Sequence, residues 1–240
     1  MKEQLYTIPV NEAFDNKCVC PVCVMYHRIE EGALDFTMGP SYMEDDVRMV
    51  TDRVGFCERH IEKMYKRGNR LGMALMLKTH ADRLLSDAEK DIKHIKVQKN
   101  RKSGNTCSLS ETLSDTENAC FVCNRMNSVF DRYIETVFYL YDTENDFREK
   151  FRAAHGICNK HMRLLLNMAP EYLNKNVTSD FAADVSKVYM RGFEEIRDDL
   201  SWFIDKFDYR NADADWKNSK DALQRMMLQL DSVYYDPDET

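Results

Sequence analysis

Eight cysteine and histidine residues stand in a spacing that this chain writes twice. Cys20 and Cys23 form a CxxC, and after 33 intervening residues Cys57 and His60 form a CxxH. Cys120 and Cys123 form a second CxxC, and after 34 intervening residues Cys158 and His161 form a second CxxH. The hexapeptides GFCERH and GICNKH carry the two CxxH motifs, 101 positions apart. Two sets with almost the same internal spacing read as an internal duplication. The sets take up six of the chain's eight cysteines and two of its six histidines.

The residue types point to a metal. A tetrahedral zinc site takes four thiolate or imidazole donors. Residues i and i+3 share a helix face, so CxxC and CxxH each offer two donors on one side of a helix start. The expected pairing is within each set, with Cys20, Cys23, Cys57 and His60 at one site and Cys120, Cys123, Cys158 and His161 at the other. Half-sites from different sets could also meet, and this is the alternative. Gly55 and Gly156 would let the backbone turn into each CxxH. A helix beginning at Cys57 or Cys158 would favour the thiolate through its partial positive charge.

The spacer suits a helical hairpin. At 1.5 Å per residue, an outward helix of about 15 residues spans roughly 20–25 Å, and a returning helix retraces it. In the first set Gly39-Pro40 breaks the chain, and Ser41 with Glu44 has the form of a capping box. In the second set a helix through Val129, Tyr133 and Val137 precedes a helix start near Thr143–Asp146. A long helical region follows each CxxH. The first spans about 58–97, with Leu71, Leu75, Ala81, Leu84, Ala88, Ile92 and Ile95 as its apolar stripe and a kink or split at Gly68 and Gly72. The second breaks at Pro170 and continues with Phe181, Val185, Val188, Ile196, Leu200, Phe203 and Phe207 on one face.

Few breakers, 8 Gly and 5 Pro in 240 residues, agree with long helices. The expected fold is all-α: two homologous helical units, each a hairpin and a long helix clipped by a Cys3His site. The expected segments are a first repeat over 1–98, a polar linker over 99–119 and a second repeat over 120–208. A final helix, about 216–234, and an acidic tail occupy 209–240. Ser114–Glu117 would cap whatever precedes the second CxxC.

Residues 1–100 are charge-balanced, and the net charge of −7 falls on the remainder. That argues against nucleic acid as a partner and leaves an unidentified protein as the expected one. The N-terminal sequence lacks the apolar run of a secretory leader, and no run reaches the length of a membrane span. The expected location is the cytoplasm, where cysteines serve as ligands or reactive thiols more often than as structural disulfides.

Zinc, two ions per chain, is the expected cofactor. Three thiolates and a histidine leave no open position, so the sites read as structural and no catalytic residue is assigned. An iron–sulfur cluster is the less favoured cofactor. A thiol–disulfide role would use Cys20-Pro-Val-Cys23, yet the βαβ pattern around a thioredoxin-type motif is absent and the second CxxC has no proline. Cys18, Cys107, His27, His80, His94 and His155 read as bystanders. The basic run Lys90, Lys93, Lys96, Lys99, Arg101 and Lys102 reads as a solvated helix end, and Trp202, Phe203 and Phe207 as core.

The paired CPxC and GxCxxH motifs resemble those of an uncharacterised bacterial domain-of-unknown-function family of hypothetical cytoplasmic proteins. The resemblance covers most of the chain. It implies no established activity and carries over a ligand role for the eight residues alone.

Overall fold

The structure is a computed structural model that describes residues 4–93, 98–100, 104–106 and 108–234. Its helices are α1 (Gln4–Asp15), α2 (Pro21–Met38), α3 (Asp45–Val54), α4 (Glu58–Lys66), α5 (Arg70–Lys93), α6 (Ser108–Glu117), α7 (Phe121–Thr143), α8 (Asn145–Ala153), α9 (Asn159–Tyr172), α10 (Lys175–Asp205) and α11 (Ala222–Asp231). Two three-residue strands, β1 (Gln98–Asn100) and β2 (Gly104–Thr106), pair antiparallel with Gln98 opposite Thr106. Apart from that hairpin and two 3-10 turns, the regular structure among the described residues is α-helical. No described helix is long and apolar enough to cross a membrane.

The chain divides into two compact units. One comprises Met1–Arg28 with Phe130–Thr240, and the other comprises Ile29–Val129. We call them the outer-segment unit and the central unit, after their places in the sequence. The divisions fall inside α2 and α7. The compact units therefore do not follow the segments expected from the motif spacing. The reason lies in how the half-sites pair, described below.

The outer-segment unit is built on aromatic packing. Phe14 of α1 meets Phe147 and Phe151 of α8, and Tyr141 of α7 meets Phe181 of α10 edge-on with ring centroids 4.9 Å apart. Such edge contacts add to the burial of large apolar rings. Helix α10 places Phe181, Val185, Val188 and Ile196 in the core at a helical period, as its sequence predicts. Its start is fixed by Asn174, whose side chain accepts from the Val177 amide. A carboxylate is buried in this unit. Asp184 accepts from the Tyr141 hydroxyl at 2.7 Å and from Arg152 Nε at 2.6 Å, so its charge is paired and its oxygen bonded, as burial requires.

In the central unit α3, α4 and α6 pack on α5. Its core is rich in methionine, with Met38, Met64, Met73 and Met76 buried beside Val47, Leu34 and Ala33. Unbranched thioethers fill irregular gaps between short helices.

Several local expectations differ from the fold. The buried face of α5 is Gly72, Met73 and Met76, whereas Leu71 is 66% and Ile92 58% exposed. Leu71 stands in the first turn of α5, whose covered face is set by the residues that meet α3 and α4. Phe207 is 76% exposed because α10 ends at Asp205. Ser41 lies within a 3-10 turn and bonds the Phe36 carbonyl, so it does not cap α3, whose cap is Glu44. Ser114–Glu117 are the last residues of α6, not a cap. Pro170 sits in the final turn of α9, and the last helix is shorter than expected.

The Tyr141–Asp184 bond can be tested directly. A buried hydrogen bond to a charged group is worth about 2 kcal/mol, and Tyr141→Phe should lose roughly that in denaturant melts at pH 7. Burial alone would raise the Asp184 carboxyl, but the bonds from Tyr141 and Arg152 hold it below its ordinary value. A depressed carboxyl stabilises the fold above the unfolded value and loses that contribution as pH falls through the folded one. Asp184→Asn should therefore be less stable than the parent at pH 7, with the gap narrowing on acidification below about pH 4. A gap independent of pH would remove the charge from this account.

Candidate metal centres

All eight predicted ligands come together, in two groups of four. Cys20, Cys23, Cys158 and His161 form one group, and Cys57, His60, Cys120 and Cys123 form the other. Within each group the donor atoms lie within 4.8 Å of one another. The expected pairing within each motif set is thus corrected. Each centre takes its CxxC from one set and its CxxH from the other. The first group belongs to the outer-segment unit and the second to the central unit.

The local cause is the same at all four half-sites: the motif sits at a helix start. Cys57 and Cys158 are the N-cap residues of α4 and α9, with nearly identical backbones (φ −75°, ψ 160° and φ −74°, ψ 162°). Cys20 and Cys120 directly precede α2 and α7, and their carbonyls accept from Val24 N and Asn124 N. Pro21 is favoured as the first residue of α2, since its missing N–H would have no helical partner there. Every centre therefore receives two helix N-termini, whose partial positive charge favours thiolates.

Close backbone contacts bring the halves together. In the central unit the Phe121 amide, at the start of α7, donates to the Gly55 carbonyl at 2.9 Å. Gly55 has φ +66°, which a side chain would strain, and a Cβ there would lie 2.4 Å from His80 Nε2. In the outer-segment unit the requirement at Gly156 is space rather than a turn. A Cβ on Gly156 would sit 2.8 Å from the Val19 carbonyl oxygen, and one on Gly192 would sit 2.5 Å from that of His155. The strand of chain entering Cys20, the strand entering Cys158 and α10 meet backbone to backbone.

The distances suit a single tetrahedral ion. Bond lengths of about 2.3 Å to sulfur and 2.0–2.1 Å to nitrogen give tetrahedron edges of about 3.8 Å (S to S) and about 3.5 Å (S to N). In the outer-segment unit His161 Nδ1 lies 3.5, 3.3 and 3.2 Å from the sulfurs of Cys20, Cys23 and Cys158, and Cys23 Sγ lies 3.6 Å from Cys158 Sγ. In the central unit His60 Nδ1 lies 3.3 Å from each of Cys57, Cys120 and Cys123, and the Cys57 and Cys123 sulfurs are 3.9 Å apart. In both groups Nδ1 is the histidine nitrogen turned to the sulfurs.

The surroundings of the two centres differ. The ligands in the outer-segment unit are all buried, while Cys57 and Cys123 are half-buried. His60 Nε2 lies 3.1 Å from Glu30 Oε1, and Glu30 also pairs with Lys63 at 2.7 Å and with Arg59. His161 Nε2 is buried with no hydrogen-bond partner among the described residues, and the Phe130 ring centroid lies 6.0 Å from that of its ring. Near Cys158 the added contacts come from the C-terminal helix. Ser232 Oγ lies 3.2 Å from Cys158 Sγ, and the Gln229 amide donates to the Ile157 carbonyl.

The protons follow this geometry. Burial pushes the Cys123 thiol up to about 12, reinforced by the neighbouring Cys120. Burial opposes ionisation of Cys120 too, but bonds from His60 and the Cys123 and Cys57 amides bring it down to about 6. His60 is raised to about 9, since contacts with Cys120 and Glu30 outweigh its burial. In the other group burial raises Cys20, whereas hydrogen bonds with Cys20 and Cys23 draw Cys158 well down. A metal entering either group must displace the protons that its thiols still hold.

Glu30, Ser232 and Gln229 were not singled out from the sequence. Glu30 lies among Ile29, Ala33 and Leu34, and an acid among apolar helix neighbours was the available signal. Of the bystanders, Cys18 is outside both groups and burial pushes its thiol up to about 11. His80 is half-buried and donates from Nδ1 to the Asp52 carbonyl, while His27 stacks on Tyr234. Lys90 pairs with Asp87, as a solvated helix end would. Cys107, His94, Ile95, Lys96, Arg101 and Lys102 lie outside the described residues.

The pairing is testable by counting metal. Cys23→Ser with Cys158→Ser should cost about one metal per chain, because both residues serve one centre. Cys23→Ser with Cys120→Ser should cost both. Pairing within the motif sets gives two losses for each double variant, and that result would sink the arrangement described.

The chain belongs to a family of unknown function, DUF6062, whose model matches residues 1–237. It is 22% identical over 192 residues to an uncharacterised 23.9 kDa protein from the xynA 3′ region of Caldicellulosiruptor sp. (strain Rt8B.4), an alignment covering 80% of this chain and 84% of that protein. No solved structure matches the chain.

Proposed function

We propose that this member of a family without an assigned activity is a zinc protein. In this reading it carries two structural Cys3His centres and serves as a scaffold or interaction protein rather than as an enzyme. The observation that carries the reading is the convergence of four protein donors, with tetrahedral edge lengths, at each of two places. A closed set of four leaves no open position for substrate or water. Three thiolates also offset the charge of a divalent ion and weaken it as a Lewis acid. When bound, the ion would supply a tetrahedral cross-link between the starts of α2 and α9, or of α4 and α7.

Zinc is favoured over an iron–sulfur cluster by size. A multi-iron cluster would lie between the cysteines and hold their sulfurs farther apart than one ion does. A mononuclear iron would meet the same geometry, and the experiment below separates the two. The near-identical backbone of Cys57 and Cys158 supports reading the repeated motifs as a duplication. Free thiols at these positions suit a reducing compartment such as the cytoplasm. The acidic balance of the chain makes a protein a better partner than a nucleic acid.

The test is metal content on protein purified without oxygen or added metal, with an absorbance spectrum of the same sample. About two zinc per chain and no visible band are expected. Chelation should then lower the thermal midpoint and helical circular dichroism together, since metal binding here is coupled to folding. Iron with visible absorption would favour electron transfer. Metal-free protein whose thiols oxidise reversibly in pairs would replace the reading with thiol–disulfide chemistry.

A further inference from the structure

We infer that Glu30 is the positioning residue of the central-unit centre, and that the two centres are tuned apart at this position. The inference rests on the metal-binding reading above and concerns how one of its centres is held. Glu30 is 1% exposed, and burying a carboxylate is costly unless it is paired and bonded. Three of its partners come from α4: Arg59, His60 and Lys63. Ion pairing alone would need only the two cations. Yet Oε1 also lies 3.1 Å from His60 Nε2, on the side of the ring away from the sulfurs. The carboxylate accepts the Nε2–H. That contact selects the tautomer whose Nδ1 lone pair is free, and it fixes the ring rotation that aims Nδ1 at Cys57, Cys120 and Cys123. Carboxylates behind metal-bound histidines act in this way and make the imidazole a stronger donor.

The other centre supplies the comparison. Its histidine also presents Nδ1 to three sulfurs, but its buried Nε2 has no hydrogen-bond partner among the described residues. Glu30 lies ten residues after Cys20, and the residue ten after Cys120 is Phe130. Phe130 is the ring that lies beside His161. One motif position thus faces the histidine at both centres, as a carboxylate in one and a phenyl ring in the other. His161 is held by packing in a fully buried site, and His60, in a site with two half-buried cysteines, is held by an acceptor.

The test is a zinc titration of the full-length chain against a chromophoric chelator, with cobalt(II) as a spectroscopic substitute. Glu30→Gln keeps the shape and removes the charge. It should weaken one of the two sites 10- to 100-fold, the range found when such partners of metal-bound histidines are changed, and leave the other unchanged. The cobalt d–d bands of that one site should shift. Lys63→Met removes an ion pair from Glu30 but spares its bond to His60, and should change affinity less than threefold. Should Glu30→Gln fail to fold, Glu30→Asp keeps the charge for Arg59 and Lys63 but retracts it from His60, and should weaken the same single site. Equal weakening by the Glu30 variants and Lys63→Met would reduce Glu30 to a staple between helices. Two unchanged sites would remove its role altogether. A parent chain that binds no zinc would overturn the metal reading itself, a result distinct from either.

Discussion

The structure depends on a meeting of helix starts. Each centre is a place where two helices begin, each with a cysteine at its first turn and a second donor three residues on. Helix N-termini repel one another weakly through their like partial charges, so an apposition of this kind needs something negative between them. Thiolates supply that, and a bound cation would in turn join the thiolates. The apolar core alone would not select this arrangement, because its side chains reward burial and not the direction in which a helix begins.

The two centres meet this need in different surroundings. In the outer-segment unit the ligands are buried, glycines bring three backbones into contact, and the last helix adds Ser232 and Gln229 beside Cys158. The site is held by packing. In the central unit the core is smaller and rich in methionines, which conform to gaps but define them poorly. There polar contacts take over, through the Phe121–Gly55 backbone bond and the Glu30–His60 contact. Equal donor sets thus rest on unlike supports.

Much of this was legible in the sequence because it depends on local spacing. The CxxC and CxxH intervals picked out all eight residues that gather in the two groups, the scarcity of breakers pointed to the helical class, and α10 kept its predicted face through Ile196. The pairing was not legible. A spacer of 33 or 34 residues returns the chain toward its own CxxC, but it says nothing of whether another half-site lies nearer, and donor count is the same either way. The stripe through Leu71 and Ile92 failed for a related reason: periodicity finds a face, and neighbours decide which face is covered. Gly156 was read as a turn, but it makes room for Val19, a residue far away in sequence. Glu30 escaped notice because no spacing rule links a carboxylate to a histidine on another helix.

Cross-pairing has a consequence for how the chain holds together. The first motif set contains half of each centre, and so does the second. A segment comprising either set alone therefore carries two half-sites that face different partners and no complete ligand group. In a tandem array of independent zinc modules, each repeat keeps its own metal and folds alone. Here each group of four donors draws on both motif sets, so neither set alone carries a complete group. A deletion in either half that displaced its CxxC or CxxH would disturb a centre whose other donors lie in the opposite half.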